Sequence, residues 1–185
     1  MPTIIDCCSD NTTWNRGYEH IGAQALEPGA NPDQKEGFYI GDEISKDHHY
    51  FKEKKMNSGP NQWPQDFPDA EKFRKSSMAY HAELHRLARD VLSVVAQTLY
   101  LPANYFDGFT DGAVAILRYL HYPPQPKDSD EKLSRGIGAH TDFGSVTILM
   151  QDEVDGLQVW EKNTQEWLDV SEVSMTSQIH ETDFR

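Results

Sequence analysis

The 185-residue chain has only two cysteines, no long apolar run and few basic residues. Cys7 and Cys8 are adjacent, so they offer no disulfide framework; we expect reduced thiols, rather than a reactive pair, in a cytoplasmic protein. No apolar run approaches the roughly 18 residues that span a bilayer, and the first residues lack the basic and apolar regions of a signal peptide. These absences argue against membrane proteins and disulfide-rich secreted proteins.

The charge balance is strongly acidic. The 17 Lys and Arg residues against 30 Asp and Glu residues give a formal net charge of -13. Such a chain repels phosphate backbones, so we expect no nucleic-acid partner and a small molecule instead. The length indicates one domain or part of one, and nothing in the composition indicates an oligomeric state.

Local patterns divide the chain into loops, one helix and several strands. Residues 1–68 are rich in Gly, Pro, Asn and Asp, which predicts loops and short elements over a surface. Residues 69–101 carry apolar residues at spacings of three, four and seven, which predicts one amphipathic helix beginning after Pro68 and ending at Pro102. The predicted stripe comprises Phe73, Tyr80, Leu84, Leu87, Val91, Val95 and Leu99.

Short β-type runs follow the helix. The predicted strands are Ala113–Leu120, Ser145–Gln151, Leu157–Glu161 and Glu166–Val170, with room for a fifth. This order predicts an α+β fold with a sandwich or barrel core. Because a double-sheet jelly roll needs roughly eight strands, we expect an incomplete β core, followed by an irregular tail over residues 171–185.

The chemistry-bearing stretch is Gly136-Ile-Gly-Ala-His-Thr-Asp-Phe-Gly144. His140 and Asp142 are two residues apart, so in an extended segment both side chains point to one face, where they could share a cation. A surface or turn role fits the spacing as well, because a His-x-Asp pair arises readily by chance. His81 and Glu83 have similar spacing but lie on the predicted helix, where we expect ordinary helix surface.

The motifs around this stretch occur in a recognisable order. His140–Asp152 is followed by Gly156-Leu-Gln-Val159 and Trp167, and preceded by Leu117–Pro123, Asn61-Gln-Trp-Pro64 and Arg16-Gly-Tyr18. Over residues 16–170 the chain resembles the iron(II)- and 2-oxoglutarate-dependent dioxygenases of the isopenicillin N synthase-like class. The resemblance implies an α+β fold in which the long helix packs on an incomplete double-stranded β-helix (jelly-roll) core. It divides the chain into a divergent start (1–15), a partial dioxygenase domain (16–170) and a non-matching tail (171–185).

The resemblance also implies a site and a reaction. His140 and Asp142 match the first two iron ligands, and Tyr122 matches a tyrosine that helps to hold 2-oxoglutarate, although a core aromatic role fits it equally. Arg118 is a candidate second contact to 2-oxoglutarate, against a structural or surface role, and His121 is expected to be structural. The cofactors implied are Fe(II), 2-oxoglutarate and O2 as cosubstrates, and ascorbate as a possible reductant. The implied activity is oxidation of an unknown small metabolite, with release of succinate and carbon dioxide.

The sequence departs from the family pattern after Val170. The family continues with a second histidine ligand and an arginine that grips the far carboxylate of 2-oxoglutarate, and we expect a chain truncated at both ends. His180 is the histidine available as a third ligand, and Arg135 and Arg185 are poor substitutes for the missing arginine. We therefore expect little turnover of 2-oxoglutarate by this chain alone. The alternative to an oxidoreductase is a catalytically silent truncated paralogue with a binding role only.

Overall fold

A computed structural model describes residues 14–65, 68–112, 114–125, 127–128, 134–142, 144–154 and 156–170, together with the backbone of 176–178. The chain forms two compact units, the first ending at His140 and the second beginning at Thr141. His180 and Arg185, considered above as ligand and arginine substitutes, lie outside the described residues, as do Cys7 and Cys8.

A three-stranded antiparallel sheet organises the first unit. Strand β1 (Gly17–Glu19) and strand β3 (Ile116–His121) flank the central strand β2 (Glu36–Gly41). The prediction that residues 1–68 are loops and short elements over a surface is therefore wrong for β2, which supplies the buried Tyr39 and Ile40. The strand escaped prediction because glycines bound its short Phe-Tyr-Ile run, and its partner β3 is about 80 residues away.

The predicted long helix is confirmed as α2 (Ala70–Thr98). Asp69 is its N-cap residue and Glu71 lies in its first turn, where a negative charge favours the helix dipole. At the other end the Leu99 N–H group contacts the last carbonyls, and Pro102 follows. Two shorter helices, α1 (His49–Lys52) and α3 (Asp107–Thr110), flank it in sequence.

Helix α2 packs on the sheet through a line of mostly small or polar residues. Its buried residues are Ser77, His81, Leu92 and Ala96. The predicted stripe lies beside this line: Phe73 and its fellow members up to Val95 are half-buried, and Leu99 is exposed. The Tyr119 hydroxyl donates to Ser77 Oγ at 3.1 Å, and the Phe73 and Tyr119 rings are 6.0 Å apart. The helix therefore contacts the sheet through a polar pair and an aromatic pair as well as through apolar burial.

The prediction of ordinary helix surface at His81 is wrong. Its side chain is buried, and Nε2 lies 3.2 Å from the carbonyl oxygen of Ala115 at the start of β3. Glu83 is exposed and pairs with Arg86 at 3.1 Å, so the two residues do occupy opposite sides of the helix. A polar partner on the sheet explains why a histidine is buried here.

A buried polar network covers the end of the sheet at which Gly41 lies beside Ala115. The guanidinium of Arg16, which is 2% exposed, donates to the carbonyls of Trp14, Asn15 and Asn57. Burial lowers the pKa of Arg16, and the nearby carboxylates of Asp42 and Glu43 act in the opposite direction. Asn61 pairs with both backbone groups of Gly41, accepting at 2.9 Å and donating at 2.7 Å. The fold therefore depends on satisfied polar groups as well as on apolar burial.

The second unit contains two antiparallel strand pairs. Strands β5 (Gln158–Glu161) and β6 (Glu166–Asp169) form a hairpin in which Trp160 pairs with Trp167 at a ring distance of 5.3 Å. Strand β4 (Thr147–Leu149) pairs with β7 (Thr176–Gln178). The prediction of an irregular tail is wrong at β7, because backbone pairing does not require the apolar pattern that this segment lacks. No helix among the described residues has the length and apolar character needed to cross a membrane.

The Glu36 carboxylate makes the stability of the three-stranded sheet depend on pH. It accepts from the Tyr18 hydroxyl at 2.5 Å and lies 2.8 Å from His121 Nδ1, which confirms a structural role for His121. The bonds from Tyr18 and then His121 lower the pKa of Glu36. A depressed pKa adds stability above the unfolded-state pKa, and this stability is lost as pH falls through the folded-state pKa.

We therefore expect Glu36→Gln to reduce the free energy of unfolding by about 1 kcal/mol at pH 7. The difference from wild type should shrink as pH falls through the lowered pKa of Glu36, because the wild-type carboxyl is then protonated as well. Urea unfolding at several pH values measures it. Glu83→Gln, which removes an exposed pair with Arg86 in the middle of α2, is the control and should change little. A Glu36→Gln deficit that persists at low pH would contradict this explanation.

Candidate functional site

His140 lies at the end of a loop whose conformation fixes the imidazole. Its Nδ1 is 2.8 Å from the carbonyl oxygen of Gly138. Because a carbonyl oxygen only accepts, Nδ1 carries the proton of the neutral ring, and Nε2 carries the lone pair that a metal needs. Hydrogen bonding of the non-ligating nitrogen to a backbone carbonyl is the usual arrangement for a metal-binding histidine.

Two carboxylates of the segment 24–34 hold this loop in place. Asp33 Oδ1 accepts from the Gly138 N–H group at 3.0 Å. Glu27 Oε2 accepts from the Ala139 N–H group at 3.3 Å and from Arg135 Nη1 at 3.2 Å. These contacts join residues more than 100 positions apart, and the sequence assigned no site role to Glu27 or to Asp33, although Asp33 begins the motif Asp33-Gln-Lys-Glu-Gly-Phe38.

Strand β3 places the two predicted cosubstrate contacts on the face of the sheet opposite α2. Tyr119 faces the helix, so by alternation Arg118, Leu120 and the following Tyr122 face away from it. Tyr122 lies against the His140 loop, because a Cβ added at Gly136 would be 2.9 Å from Tyr122 Cδ1. Arg118 is exposed, and its Cζ is 5.2 Å from the centre of the Tyr39 ring. Tyr122 is thus brought to the loop that carries His140.

Arg118 borders a small polar cavity of about 30 Å³, which is roughly the volume of one water molecule. Tyr39 donates to Glu19 in its wall, and Lys35 lies 3.5 Å from the same carboxylate. Burial, followed by the contact with Glu19, raises the pKa of Tyr39 well above its usual value. Tyr39 therefore remains a neutral hydrogen-bond donor at physiological pH.

Asp142 belongs to the second unit, where its carboxylate is half-buried. Oδ2 accepts from the Thr147 hydroxyl, on β4, at 2.8 Å. Gly144 adopts a φ of +88°, which favours glycine, at the turn between Asp142 and β4. Since His140 ends the first unit and Asp142 lies in the second, their convergence on one ion stays a prediction.

The donor types suit iron(II). An imidazole nitrogen and a carboxylate oxygen are two of the three ligands in the facial triad of non-haem iron oxygenases. The tautomer fixed at His140 and the hydrogen bond at Asp142 are the kind of outer support that metal ligands receive. Within the described ranges no group of three or more His, Cys, Asp or Glu residues is arranged to hold a metal. The donor chemistry of His140 and Asp142 therefore suits iron(II), and their binding of one ion stays a prediction.

Two family sequence models match the parts of the chain that carry these residues. The sequence model of the 2OG-Fe(II) oxygenase superfamily matches residues 112–184, which include His140, Asp142 and Tyr122. The model described as non-haem dioxygenase in morphine synthesis N-terminal matches residues 6–66, which include Glu27 and Asp33. The chain belongs to the 2OG-Fe(II) oxygenase superfamily, and the resemblance inferred from its motifs is confirmed.

Individual relatives are fungal. A 2-oxoglutarate-Fe(II) type oxidoreductase of Emericella nidulans is 56% identical over 161 residues, 87% of this chain and 46% of the relative. One of Aspergillus fumigatus is 48% identical over 160 residues, 86% of this chain and 47% of the relative. The chain thus spans about half the length of these curated relatives.

A full-length Neurospora crassa protein crystallised in complex with alpha-KG has a TM-score of 0.73 and 26% identity, covering 98% of this chain and 55% of that one. The neighbouring structures are 2OG oxygenases, a family with the jelly-roll fold, and the antiparallel sheets found here agree with it.

Proposed function

We propose that this chain carries part of the active site of an iron(II)- and 2-oxoglutarate-dependent oxidoreductase acting on a small metabolite. The observation that supports it most is the arrangement at His140, whose Nδ1 is bonded to the Gly138 carbonyl, so that Nε2 carries the lone pair, within a motif matched by the superfamily model. We further propose that the sheets contribute to a jelly-roll core and that the protein is cytoplasmic. Ascorbate as an additional reductant stays a prediction.

Each residue has a defined task under this proposal. His140 Nε2 and an oxygen of Asp142 would hold iron(II), and bound iron with 2-oxoglutarate and O2 would supply the oxidising chemistry. The Thr147 hydroxyl orients the Asp142 carboxylate by occupying Oδ2. The phenol of Tyr122 would donate to a carboxylate of 2-oxoglutarate, and Arg118, beside Tyr39, would add positive charge on the same face of the sheet.

Calorimetric titration of 2-oxoglutarate under nitrogen tests the proposal. Protein preloaded with Fe(II) should bind 2-oxoglutarate at least about tenfold more tightly than metal-free protein, because chelation contributes much of the affinity. Equal binding with and without Fe(II) would contradict an iron-dependent cosubstrate site. If a His140→Ala, Asp142→Ala double variant binds 2-oxoglutarate as tightly as wild type in the presence of Fe(II), the site lies elsewhere.

Tyr122→Phe should weaken 2-oxoglutarate binding to the Fe(II)-loaded protein by about 10- to 100-fold, the loss expected for one hydrogen bond to a charged group. Fe(II) affinity itself should not change, since the phenol is not assigned to the metal. Tyr105→Phe is the matched control, because Tyr105 is also exposed, near α3, and has no assigned role. Unchanged affinity in Tyr122→Phe would assign Tyr122 to packing against the His140 loop instead.

A further inference from the structure

Two carboxylates support the loop that ends at His140, and both act through its backbone. The peptide group between Gly138 and Ala139 is held at both ends: its N–H group donates to Glu27 Oε2 at 3.3 Å, and its carbonyl accepts from His140 Nδ1 at 2.8 Å. The preceding peptide donates its N–H group, that of Gly138, to Asp33 Oδ1 at 3.0 Å. The imidazole is thus linked to a carboxylate through a single peptide group.

We propose that Glu27 and Asp33, here named the carboxylate clamp, are positioning residues for the His140 ligand. This inference rests on the proposed function in identifying His140 as the ligand. Asp33 fixes the preceding peptide, whereas Glu27, at the N–H end of the peptide that carries the Gly138 carbonyl, polarises that group and increases the negative charge on its oxygen. That oxygen then holds the Nδ1 proton more strongly, so the lone pair stays on Nε2 and becomes more basic toward a metal.

Asp33 is built to act as the fixed point of the clamp. The residue is 3% exposed, and its own N–H and C=O groups pair with Gln24 and Gly22 at 2.7 and 3.0 Å. Its second oxygen, Oδ2, is buried without a hydrogen bond among the described residues. Leaving a buried carboxylate oxygen unpaired is costly. Burial alone therefore does not account for a carboxylate at this position, whereas the contact of Oδ1 with the Gly138 N–H group does.

Glu27 is held in place from two sides. Its carboxylate pairs with Arg135 on the loop, and its backbone packs so closely that a Cβ added at Gly138 would lie 2.8 Å from the Glu27 nitrogen. Two further hydrogen bonds, Gln34 N–H to the Arg135 carbonyl at 2.9 Å and Asn31 to Ser134 at 2.8 Å, tie the same two segments together. The clamp therefore acts on a loop that is already docked, which leaves orientation of the ring as its specific contribution.

The tautomer of His140 in the metal-free protein tests the inference directly. With histidine labelled by ¹⁵N, long-range ¹H–¹⁵N correlation near pH 8 distinguishes the two neutral tautomers, and His140→Ala assigns the resonance. Wild type should show the Nδ1–H form. Asp33→Ala and Glu27→Ala should shift His140 toward a mixture of tautomers, whereas Asp33→Asn and Glu27→Gln, which keep an acceptor, should retain the Nδ1–H form. Unchanged tautomers in folded Asp33→Ala and Glu27→Ala would overturn the proposal.

Fe(II) affinity under nitrogen provides the second readout. Asp33→Ala and Glu27→Ala should each weaken binding by about 10- to 100-fold, the range found for residues that orient a metal ligand. Glu83→Ala is the matched control, since Glu83 also pairs with an arginine but lies on α2. If Asp33→Ala fails to fold by circular dichroism, Glu27→Ala decides. If wild type binds no Fe(II), the proposed function fails, and the tautomer measurement still tests the carboxylate clamp. If wild type and the clamp variants bind Fe(II) equally, only the proposal for the carboxylate clamp fails.

Discussion

His140→Ala is expected to lower the affinity of the chain for Fe(II) by at least about a hundredfold. Removing a residue that merely orients a ligand costs about 10- to 100-fold, so removing the ligand should cost more. The fixed tautomer at His140 means that Nε2 presents its lone pair without a prior proton transfer, and alanine removes this donor altogether. Equilibrium dialysis of Fe(II) under nitrogen measures the change.

His20→Ala is the matched control for this loss. His20 is also an exposed histidine whose Nδ1 lies 3.0 Å from a backbone carbonyl, that of Ile21, and it has no assigned role in metal binding. Its replacement should leave Fe(II) affinity unchanged. Equal losses in the two variants would indicate nonspecific binding to surface histidines, and no loss in either would remove His140 from the site.

Gly41→Ala is expected to reduce the free energy of unfolding by about 2–3 kcal/mol, in the range for overpacking a filled site. A Cβ at this position would lie 2.9 Å from the Ala115 carbonyl oxygen and would also collide with the guanidinium of Arg16. Moving Arg16 would break its bonds to the carbonyls of Trp14, Asn15 and Asn57, and β2 could not keep its place beside β3 without adjustment. Urea unfolding followed by circular dichroism gives the difference.

Gly108→Ala tests whether the effect of Gly41→Ala is specific. A Cβ at Gly108, in α3, meets nothing within 4 Å, so its stability should stay within about 1 kcal/mol of wild type. A Gly41→Ala protein as stable as wild type would show that the Arg16 network yields easily, which contradicts the importance assigned to it here.

Helix α2 could be located from sequence because its signal is local. Apolar spacing, Pro68 and Pro102 bound it to within three residues at its C-terminal end. Its buried line was not predictable in the same way, since Ser77 and His81 are buried by partners on β3 that the helix sequence does not reveal. Periodicity finds the apolar side of a helix, whereas polar contacts across the fold determine which residues are covered.

Strand β2 and the carboxylate clamp show more clearly which features could not be predicted from the sequence. The run Glu36–Gly41 is short and glycine-bounded, and it becomes the central strand only because β1 and β3 pair on both sides of it. Glu27 and Asp33 lie in a Gly- and Pro-rich stretch that reads as surface loop, and their partners are more than 100 residues away. The motif at His140 could be found from its residue types and order, but its supporting contacts required the folded chain.

We propose that His140 and Asp142 hold an iron(II) that 2-oxoglutarate chelates. The visible charge-transfer absorption that a 2-oxo acid gives on chelating Fe(II), recorded under nitrogen with saturating 2-oxoglutarate, measures this chelation most directly. Wild-type chain with Fe(II) should develop the band on addition of 2-oxoglutarate, and the His140→Ala, Asp142→Ala double variant should not. A wild-type chain that binds Fe(II) without the band, or a double variant with an undiminished band, would contradict the assignment of this site.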